Sequence, residues 1–218
     1  MKLHADFSQR VVVQSEDLPW IASPLKGVDR RMLERDGEEV ARATSVVRYA
    51  PNSAFSAHTH GGGEEFLVLD GVFSDEHGDF GRGMYVRNPP GSAHTPSSKD
   101  GCIILVKLRQ MDPTDQTQIA IDTTSEEGWR PGAAPGLEVL PLHQFENETV
   151  RMIRFAPGTS LELHDHPGGE EIFVIEGSFV DEHGRYPAGS WLRNPPGSSH
   201  KAGSEEGCLL YIKTGHLD

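Results

Sequence analysis

Residues 58–71 read HTHGGGEEFLVLDG: two histidines one residue apart, three glycines, a carboxylate pair and an apolar run. A near copy, HDHPGGEEIFVIEG, occupies residues 164–177. The two stretches begin 106 residues apart (164 − 58), which is the length of a domain and too long for one repeat of a solenoid. The sequence therefore predicts two copies of one fold, related by an internal duplication.

The same offset continues downstream of the two stretches. It matches His94 with His200 and Cys102 with Cys208. Between the copies, the polar residues 113–128 have few apolar side chains and predict a connection. We therefore expect a first domain at residues 1–112, a linker at 113–128 and a second domain at 129–218.

Local patterns predict an all-β fold. Short apolar runs such as FLVLDGVF and CIILVKL alternate with turn signals such as NPPG, at a spacing typical of sandwiches and barrels. The run RRMLERDGEEVAR (residues 30–42) has a helix-like composition, but its Asp36-Gly37 pair favours a β-hairpin. No long helical segment is expected.

The composition disfavours several classes of partner. The 218 residues include 20 Lys+Arg and 33 Asp+Glu, for a formal net charge of −13. Such a surface repels phosphate backbones and anionic lipids, so we expect neither nucleic acid nor a membrane as a partner. The N-terminal residues MKLHADFSQR contain no apolar signal segment, and two cysteines do not suggest a disulfide framework. We expect a cytoplasmic protein.

The histidines of each copy are spaced like metal ligands. Side chains at positions i and i+2 of a strand point the same way, so His58 and His60 share a side, and Glu64 shares it with Phe66 and Val68. Three imidazoles and a carboxylate suit zinc, iron, manganese, nickel or copper, whereas the alternative is a set of solvated strand histidines. The predicted ligands are His58, His60, Glu64 and His94 in the first copy, and His164, His166, Glu170 and His200 in the second.

These spacings resemble a known family. The pattern H-x-H-x3-E-x6-G at residues 58–71 and G-x5-P-x-G-x2-H at 83–94 resemble the two cupin motifs, and both recur at 164–177 and 189–200. The amino-acid sequence around these motifs more narrowly resembles the cupin domain of ChrR, an anti-sigma factor of the ECF class. The resemblance implies a bicupin: two tandem cupin domains, each a jelly-roll β-barrel with a three-His, one-Glu site. The implied cofactor is a divalent metal, zinc first, with iron, manganese and nickel as alternatives.

The resemblance to ChrR also has implications for function. ChrR proteins hold their sigma factor with a separate helical zinc domain built on an H-x3-C-x2-C motif, which is absent from this sequence. Sigma-factor binding by this chain alone is therefore not expected. The resemblance implies a regulatory role in transcription, with sensing of oxidative stress. The alternative is a non-haem metal-dependent dioxygenase acting on a small ketone or diketone.

Further expectations concern partners. Beside a small-molecule or oxidant ligand, a homodimer is one expectation, because Leu67 and Leu69 are apolar on the face opposite the ligands and need a cover. The two copies could equally cover each other as an internal pseudo-dimer.

Two other matched pairs have competing interpretations. Cys102 and Cys208 are predicted to be small buried apolar residues, with redox sensing as the alternative. His77 and His183 lie in the turn sequence DEHG, and solvated turn residues are expected there rather than ligands.

Two charged pairs lie next to the motifs. Glu65 and Glu171 face away from the ligand side by strand parity and are expected at a surface or an interface. Arg87 and Arg193, in the shared sequence RNPPG, are expected to pair with acidic residues near the barrel rim.

Overall fold

The computed structural model describes residues 1–217, which form two compact units. Unit 1 consists of Met1–Ala5 and Leu18–Thr124, and unit 2 consists of Asp6–Asp17 and the chain from Ser125 onward. Across the described residues there is no α-helix, only a 3-10 turn at Ser15–Asp17. The predicted all-β class is confirmed. None of the described segments is a helix with the length and apolar character needed to cross a membrane.

Among residues 1–217, thirteen strands belong to unit 1 and twelve to unit 2. The strands of unit 1 are β1 Lys2–Leu3, β3 Ile21–Ala22, β4 Val28–Gly37, β5 Ala41–Tyr49, β6 Ser53–Ala54, β7 His58–Thr59, β8 Glu64–Asp75, β9 Gly78–Gly81, β10 Met84–Asn88, β11 Ala93–His94, β12 Ser97–Ser98, β13 Cys102–Leu108 and β14 Ile119–Asp122. Those of unit 2 are β2 Val11–Gln14, β15 Arg130–Pro131, β16 Leu137–Phe145, β17 Glu148–Phe155, β18 Thr159–Ser160, β19 His164–His166, β20 Glu170–Asp181, β21 Gly184–Pro187, β22 Ser190–Asn194, β23 Ser198–His200, β24 Gly203–Ser204 and β25 Cys208–Thr214.

The two units repeat one antiparallel topology. The main sheet runs β1-β4-β5-β13-β8-β10-β14 in unit 1 and β15-β16-β17-β25-β20-β22-β2 in unit 2. In each unit a separate two-stranded ladder, β7-β11 or β19-β23, carries histidines predicted as metal ligands. The hairpin predicted at Asp36-Gly37 forms between β4 and β5, although these two residues end β4 and the turn itself spans residues 38–40. The internal duplication inferred from the sequence is thus visible in the shared order of the central strands.

The compact units differ from the predicted domain boundaries at two places. Residues 113–128, expected to be a linker, contain β14, which pairs along β10 and closes the edge of the main sheet of unit 1. In unit 2 the equivalent edge, β22, is covered by β2 from the N-terminal segment. Both strands satisfy backbone groups that an open edge would expose. Local sequence patterns do not reveal that β2 pairs with β22, because the paired residues are nearly the whole chain length apart.

An apolar interior lies on the ligand side of the central strands, as parity predicts. Phe66 and Val68 belong to the core cluster of unit 1, and Ile172 and Val174 occupy the same positions in unit 2. Leu67, on the opposite face of β8, is also buried. Both faces of β8 are therefore covered within the folded chain.

The two cysteines are structural. Cys102 and Cys208 are free thiols, buried in the core clusters of their own units. Burial raises the pKa of each thiol to about 11. The interpretation as small buried apolar residues is confirmed. His77 and His183 lie exposed in their turns, also as predicted.

Of the two positions expected for Glu65 and Glu171, a surface or an interface, the surface position is wrong. Both are buried at 1% and 2% exposure, because the outer face of the sheet is covered as well. Glu65 accepts hydrogen bonds from the Arg87 guanidinium at 3.0 Å and from the Tyr85 hydroxyl at 2.8 Å. Arg87 also pairs with Asp115 at 2.6 Å, so the predicted acidic partners of Arg87 are confirmed.

The equivalent arginine of unit 2 has a different environment. Arg193 donates to the backbone carbonyl of Asp6 at 2.8 Å, and its guanidinium lies over the Phe7 ring at 4.9 Å. Glu171 accepts from the Trp191 indole at 2.8 Å and contacts the His216 ring. The buried Glu171 and Arg193 therefore help to fix the strand edge that the N-terminal segment covers.

Candidate metal centres

The candidate ligands of unit 1 come from three neighbouring segments. His58 and His94 face each other across the β7-β11 ladder, His60 follows β7, and Glu64 begins β8. The turn between them is closed by the Gly63 backbone N–H, which donates to the carbonyl of His60, and Gly63 has a φ of 77° that favours glycine. One ligand atom from each of the four residues lies within 4.8 Å of all the others.

Unit 2 repeats the arrangement. His164 and His200 are paired across the β19-β23 ladder, His166 ends β19, and Glu170 begins β20. Here too the four ligand atoms lie within 4.8 Å of one another. The structure thus brings together all eight residues that the sequence identified, in two separate clusters of four.

Hydrogen bonds at Nδ1 orient the histidines of unit 1. The Ser92 hydroxyl donates to the Pro89 carbonyl at 2.6 Å, which leaves its oxygen to accept from Nδ1 of His60 at 3.0 Å. Nδ1 of His94 donates to the Asp75 carboxylate at 3.1 Å. With the proton on Nδ1, each ring directs the Nε2 lone pair toward the cluster.

In unit 2, one of the two contacts at Nδ1 is a hydrogen bond, and the other is a longer approach to a carboxylate. Nδ1 of His164 donates to the Glu162 carbonyl at 3.0 Å, and Nδ1 of His200 lies 3.8 Å from the Asp181 carboxylate. The amide of Asn194 donates to Glu170 at 3.1 Å, as Asn88 does to Glu64 in unit 1 at 3.4 Å. These contacts fix the carboxylate that completes each cluster.

The charges of the first cluster fit a cation. Burial lowers the pKa of His60 to about 4, and electrostatic repulsion from His94 and His58 acts in the same direction. The His60 ring is therefore neutral at pH 7. Burial raises the pKa of Glu64 to about 7. A buried carboxylate in contact with neutral imidazoles lacks the counter-charge that would hold it ionised. A divalent ion would supply that charge.

Buried ring nitrogens that lack a hydrogen bond also indicate a metal ion. Nε2 of His60 and Nε2 of His166 are both buried without a hydrogen-bond partner. Each lies close to the glutamate of its own cluster, at 3.6 Å from Glu64 and 3.5 Å from Glu170, which is too long for a hydrogen bond. Three Nε2 lone pairs and a carboxylate converging on one point form a set of ligands that a divalent metal satisfies together. The residues present therefore fit a metal ion in both units.

A cavity of about 890 Å³ adjoins the cluster of unit 2. The four predicted ligands form part of its wall, and most of the remaining wall is apolar, including Leu137, Phe155, Ile172, Phe179 and Leu210. Among the polar wall residues is Arg151, whose Nη2 donates to the Thr214 hydroxyl at 3.2 Å. The cluster is thus accessible to a molecule much larger than water.

Several residues of these centres were not identified from the sequence. Asp75 and Asp181, which contact ligand histidines, recur at the same offset of 106 residues and could have been found by extending the repeat to every polar match. Arg151 has no such signal, because the residue at its position in the first copy is Ser45.

The sequence of this chain matches a family model. The model of the ChrR cupin-like domain matches twice, over residues 8–112 and 116–218. The chain belongs to the ChrR cupin-like domain family. The matches and the compact units divide the chain differently: β2, a strand of unit 2, lies in the first match, and β14, a strand of unit 1, lies in the second. A search of curated proteins finds no significant sequence match.

Solved cupin structures share the fold. A candidate dioxygenase from Nostoc punctiforme superposes with a TM-score of 0.81 at 16% identity, covering 96% of this chain and 84% of that protein. Ylba from E. coli gives 0.74 at 16% identity, with 98% and 93% covered. A variant of oxalate decarboxylase from Bacillus subtilis gives 0.61 at 15% identity, with 95% and 77% covered. At these identities the similarity establishes the tandem cupin fold and leaves the chemistry to the residues of this chain.

Proposed function

We propose that this protein is a metal-dependent dioxygenase of the non-haem type, with its substrate site in unit 2. The observation that carries the proposal is the 890 Å³ cavity whose wall includes His164, His166, Glu170 and His200. A metal ion with only a structural role needs no such space beside it. The proposed substrate is a small ketone or diketone. The apolar wall suits its carbon skeleton, and a metal ion held by the cluster would bind its carbonyl oxygen atoms.

The protein residues have defined tasks in this proposal. The three histidines and Glu170 would hold the ion, and the ion would supply a Lewis acid and a redox centre for dioxygen. Asn194 holds the Glu170 carboxylate in place by a hydrogen bond, and Asp181 places a negative charge beside the ring of His200. The apolar residues around the cluster exclude water and bind the carbon skeleton of the substrate.

The cavity bears on the choice of metal. Zinc prefers four ligands, and the four protein side chains would complete its shell. Iron, manganese or nickel accepts six ligands, so that two positions remain for a substrate and dioxygen. We therefore favour one of these three metals in unit 2, although the ChrR resemblance gives zinc first.

Oxygen uptake tests the proposal. Full-length protein loaded separately with Fe(II), Mn(II) or Ni(II) is mixed with a panel of small ketones and diketones in an oxygen electrode. We expect uptake with at least one substrate, its loss in His166→Ala, and its persistence in His183→Ala, which changes an exposed turn histidine. Absence of uptake for every metal and substrate would overturn the proposal, as would full activity of His166→Ala.

A second candidate is an oxidant-responsive regulatory protein, favoured by the family match over residues 8–112 and 116–218. Because Cys102 and Cys208 are buried with raised pKa values, the response would begin at the metal clusters rather than at the thiols. Mild peroxide should then oxidise cluster residues or release metal, as detected by mass spectrometry. Unchanged peptides and unchanged metal content would argue against this role.

A further inference from the structure

We propose that the cavity of unit 2 selects a carboxylate ligand and that Arg151 binds the carboxylate group. The inference rests on the proposed function in that it takes this cavity to be the substrate site. It narrows the substrate class from ketones in general to keto acids: a carboxylate joined through an apolar body to a carbonyl oxygen.

The strand that carries Arg151 directs its side chain into the cavity. Along β17, Arg151, Ile153 and Phe155 alternate on one face, and all three line the cavity wall. Arg154 has the opposite parity and forms ion pairs with exposed acidic residues instead. Arg151 is therefore the arginine of β17 that a ligand in the cavity would meet.

The guanidinium of Arg151 has spare hydrogen-bonding capacity. Its Nη2 donates to the Thr214 hydroxyl, while Nε is buried without a hydrogen-bond partner. Within residues 1–217, no carboxylate oxygen forms an ion pair with Arg151. A largely buried guanidinium without a counter-ion is costly, and burial lowers its pKa while the charge of Glu170 opposes that shift. An anion entering the cavity would supply the missing partner.

The balance of charge inside the cavity favours an anion. A divalent ion contributes two positive charges and Arg151 one, against the single negative charge of Glu170. The other acidic wall residues, Glu162 and Asp165, are exposed to solvent, which screens their charge. The interior facing a ligand is therefore net positive, and a carboxylate can take two parallel hydrogen bonds from the planar guanidinium.

The first unit lacks this arginine. Ser45 occupies the position, because Ser45 pairs with Val106 as Arg151 pairs with Ile212. An arginine of unit 1, Arg30, lies on the neighbouring strand β4 and pairs with Glu39 at 3.4 Å. Its charge already has a partner. Carboxylate selection is therefore assigned to unit 2 alone.

Calorimetry with an acid and its ester tests the inference. The intact chain loaded with Ni(II), with dioxygen excluded so that no turnover occurs, is titrated with 3-benzoylpropanoate and with its neutral methyl ester. We expect one acid per chain, bound at least roughly tenfold more tightly than the ester, as charge-assisted hydrogen bonds predict. Equal affinity for acid and ester would overturn the inference, and this comparison needs no variant.

Variants then assign the preference to Arg151. Arg151→Met should weaken acid binding by roughly tenfold to a hundredfold and leave the ester little changed, with Arg151→Lys recovering part of the preference. Arg154→Met, on the opposite face of the same strand, should behave like the unmodified protein. An acid preference that survives in Arg151→Met would mean that the metal binds the carboxylate, which contradicts the inference.

The outcome is separable from that of the proposed function. If the acid preference and its loss in Arg151→Met are observed without oxygen uptake for any substrate, only the dioxygenase proposal fails. If neutral diketones support oxygen uptake while acid and ester bind equally, only the carboxylate inference fails.

Discussion

At the scale of single residues, Glu64 has a direct consequence for metal binding. Its pKa is raised to about 7 by burial, from an ordinary value of 4.5, so below pH 7 the metal-free protein holds a proton there. A metal must displace that proton. We predict that binding to unit 1 releases the Glu64 proton at pH 6 and not at pH 8, so that affinity falls as the pH drops below 7. Titration calorimetry in buffers of different ionisation heat measures the release.

The matched control is Glu64→Gln, in a protein whose second cluster is disabled by His166→Ala. The amide carries no titratable proton, so the difference in proton release between pH 6 and pH 8 should shrink by about one proton. A release that is the same in the glutamate and glutamine forms would contradict this account of Glu64.

The cysteines provide a second prediction at this scale. With the pKa of Cys102 and of Cys208 raised to about 11, the reactive thiolate is scarce at pH 8 and grows only as the pH approaches 11. Folded protein at pH 8 should therefore react with iodoacetamide at least roughly a hundredfold more slowly than the same protein in denaturant. Mass spectrometry measures the alkylation. Rapid labelling of native protein would contradict the assignment of both thiols to the cores.

Residue spacing was enough to identify the eight predicted ligands, because His-x-His and the following glutamate recur with identical spacing in a duplicated chain. The same reasoning misplaced Glu65, since strand parity tells which way a side chain points and not what covers that face. Arg151 could not be found by comparing the copies, because the first copy has Ser45 at that position.

At the scale of an element, the conformation of strand β20 depends on Gly177, the glycine that ends the motif at residues 164–177. Gly177 has a φ of 71°, and a Cβ added there would lie 2.0 Å from the carbonyl oxygen of Gly207. Gly177→Ala should destabilise the protein by about 3 kcal/mol through backbone strain and the clash together. Thermal unfolding measures the loss.

Gly158→Ala separates the two contributions. Gly158 has a similar φ of 76°, but a Cβ there meets no atom within 4 Å. Its substitution should cost about 1 kcal/mol from the left-handed conformation alone. Equal losses at Gly158 and Gly177 would show that the close approach between Gly177 and Gly207 is unimportant.

At the scale of the whole molecule, local sequence patterns gave the β class and the duplication, but not the membership of the edge strands. The residues of β2 and β14 are short, mostly apolar runs, VVVQ and IAID, and nothing local shows which sheet they join. In unit 2, Arg10 beside β2 binds the Asp181 carboxylate at 2.9 Å and the Tyr186 hydroxyl at 2.8 Å. Such long-range partners become visible only in the folded chain.

The edge strand leads to a prediction about fragments. A fragment of residues 125–218 lacks β2 and leaves the edge of β22 open, so it should be less stable than unit 2 in the intact chain. Adding a peptide of residues 6–17 should raise its melting temperature, and the same peptide with Arg10→Ala should do so less. A fragment that is indifferent to both peptides would contradict the assignment of β2 to unit 2.

The central claim is that each cluster of three histidines and one glutamate binds a divalent metal ion. Elemental mass spectrometry of untagged protein, purified without chelator, tests it most directly. We predict about two ions per chain, about one in His60→Ala or His166→Ala, and close to none in the double variant. The control His77→Ala/His183→Ala, which removes the exposed turn histidines, should retain both ions. A metal-free native protein, or a metal content that is unchanged in the His60→Ala/His166→Ala variant, would contradict the claim.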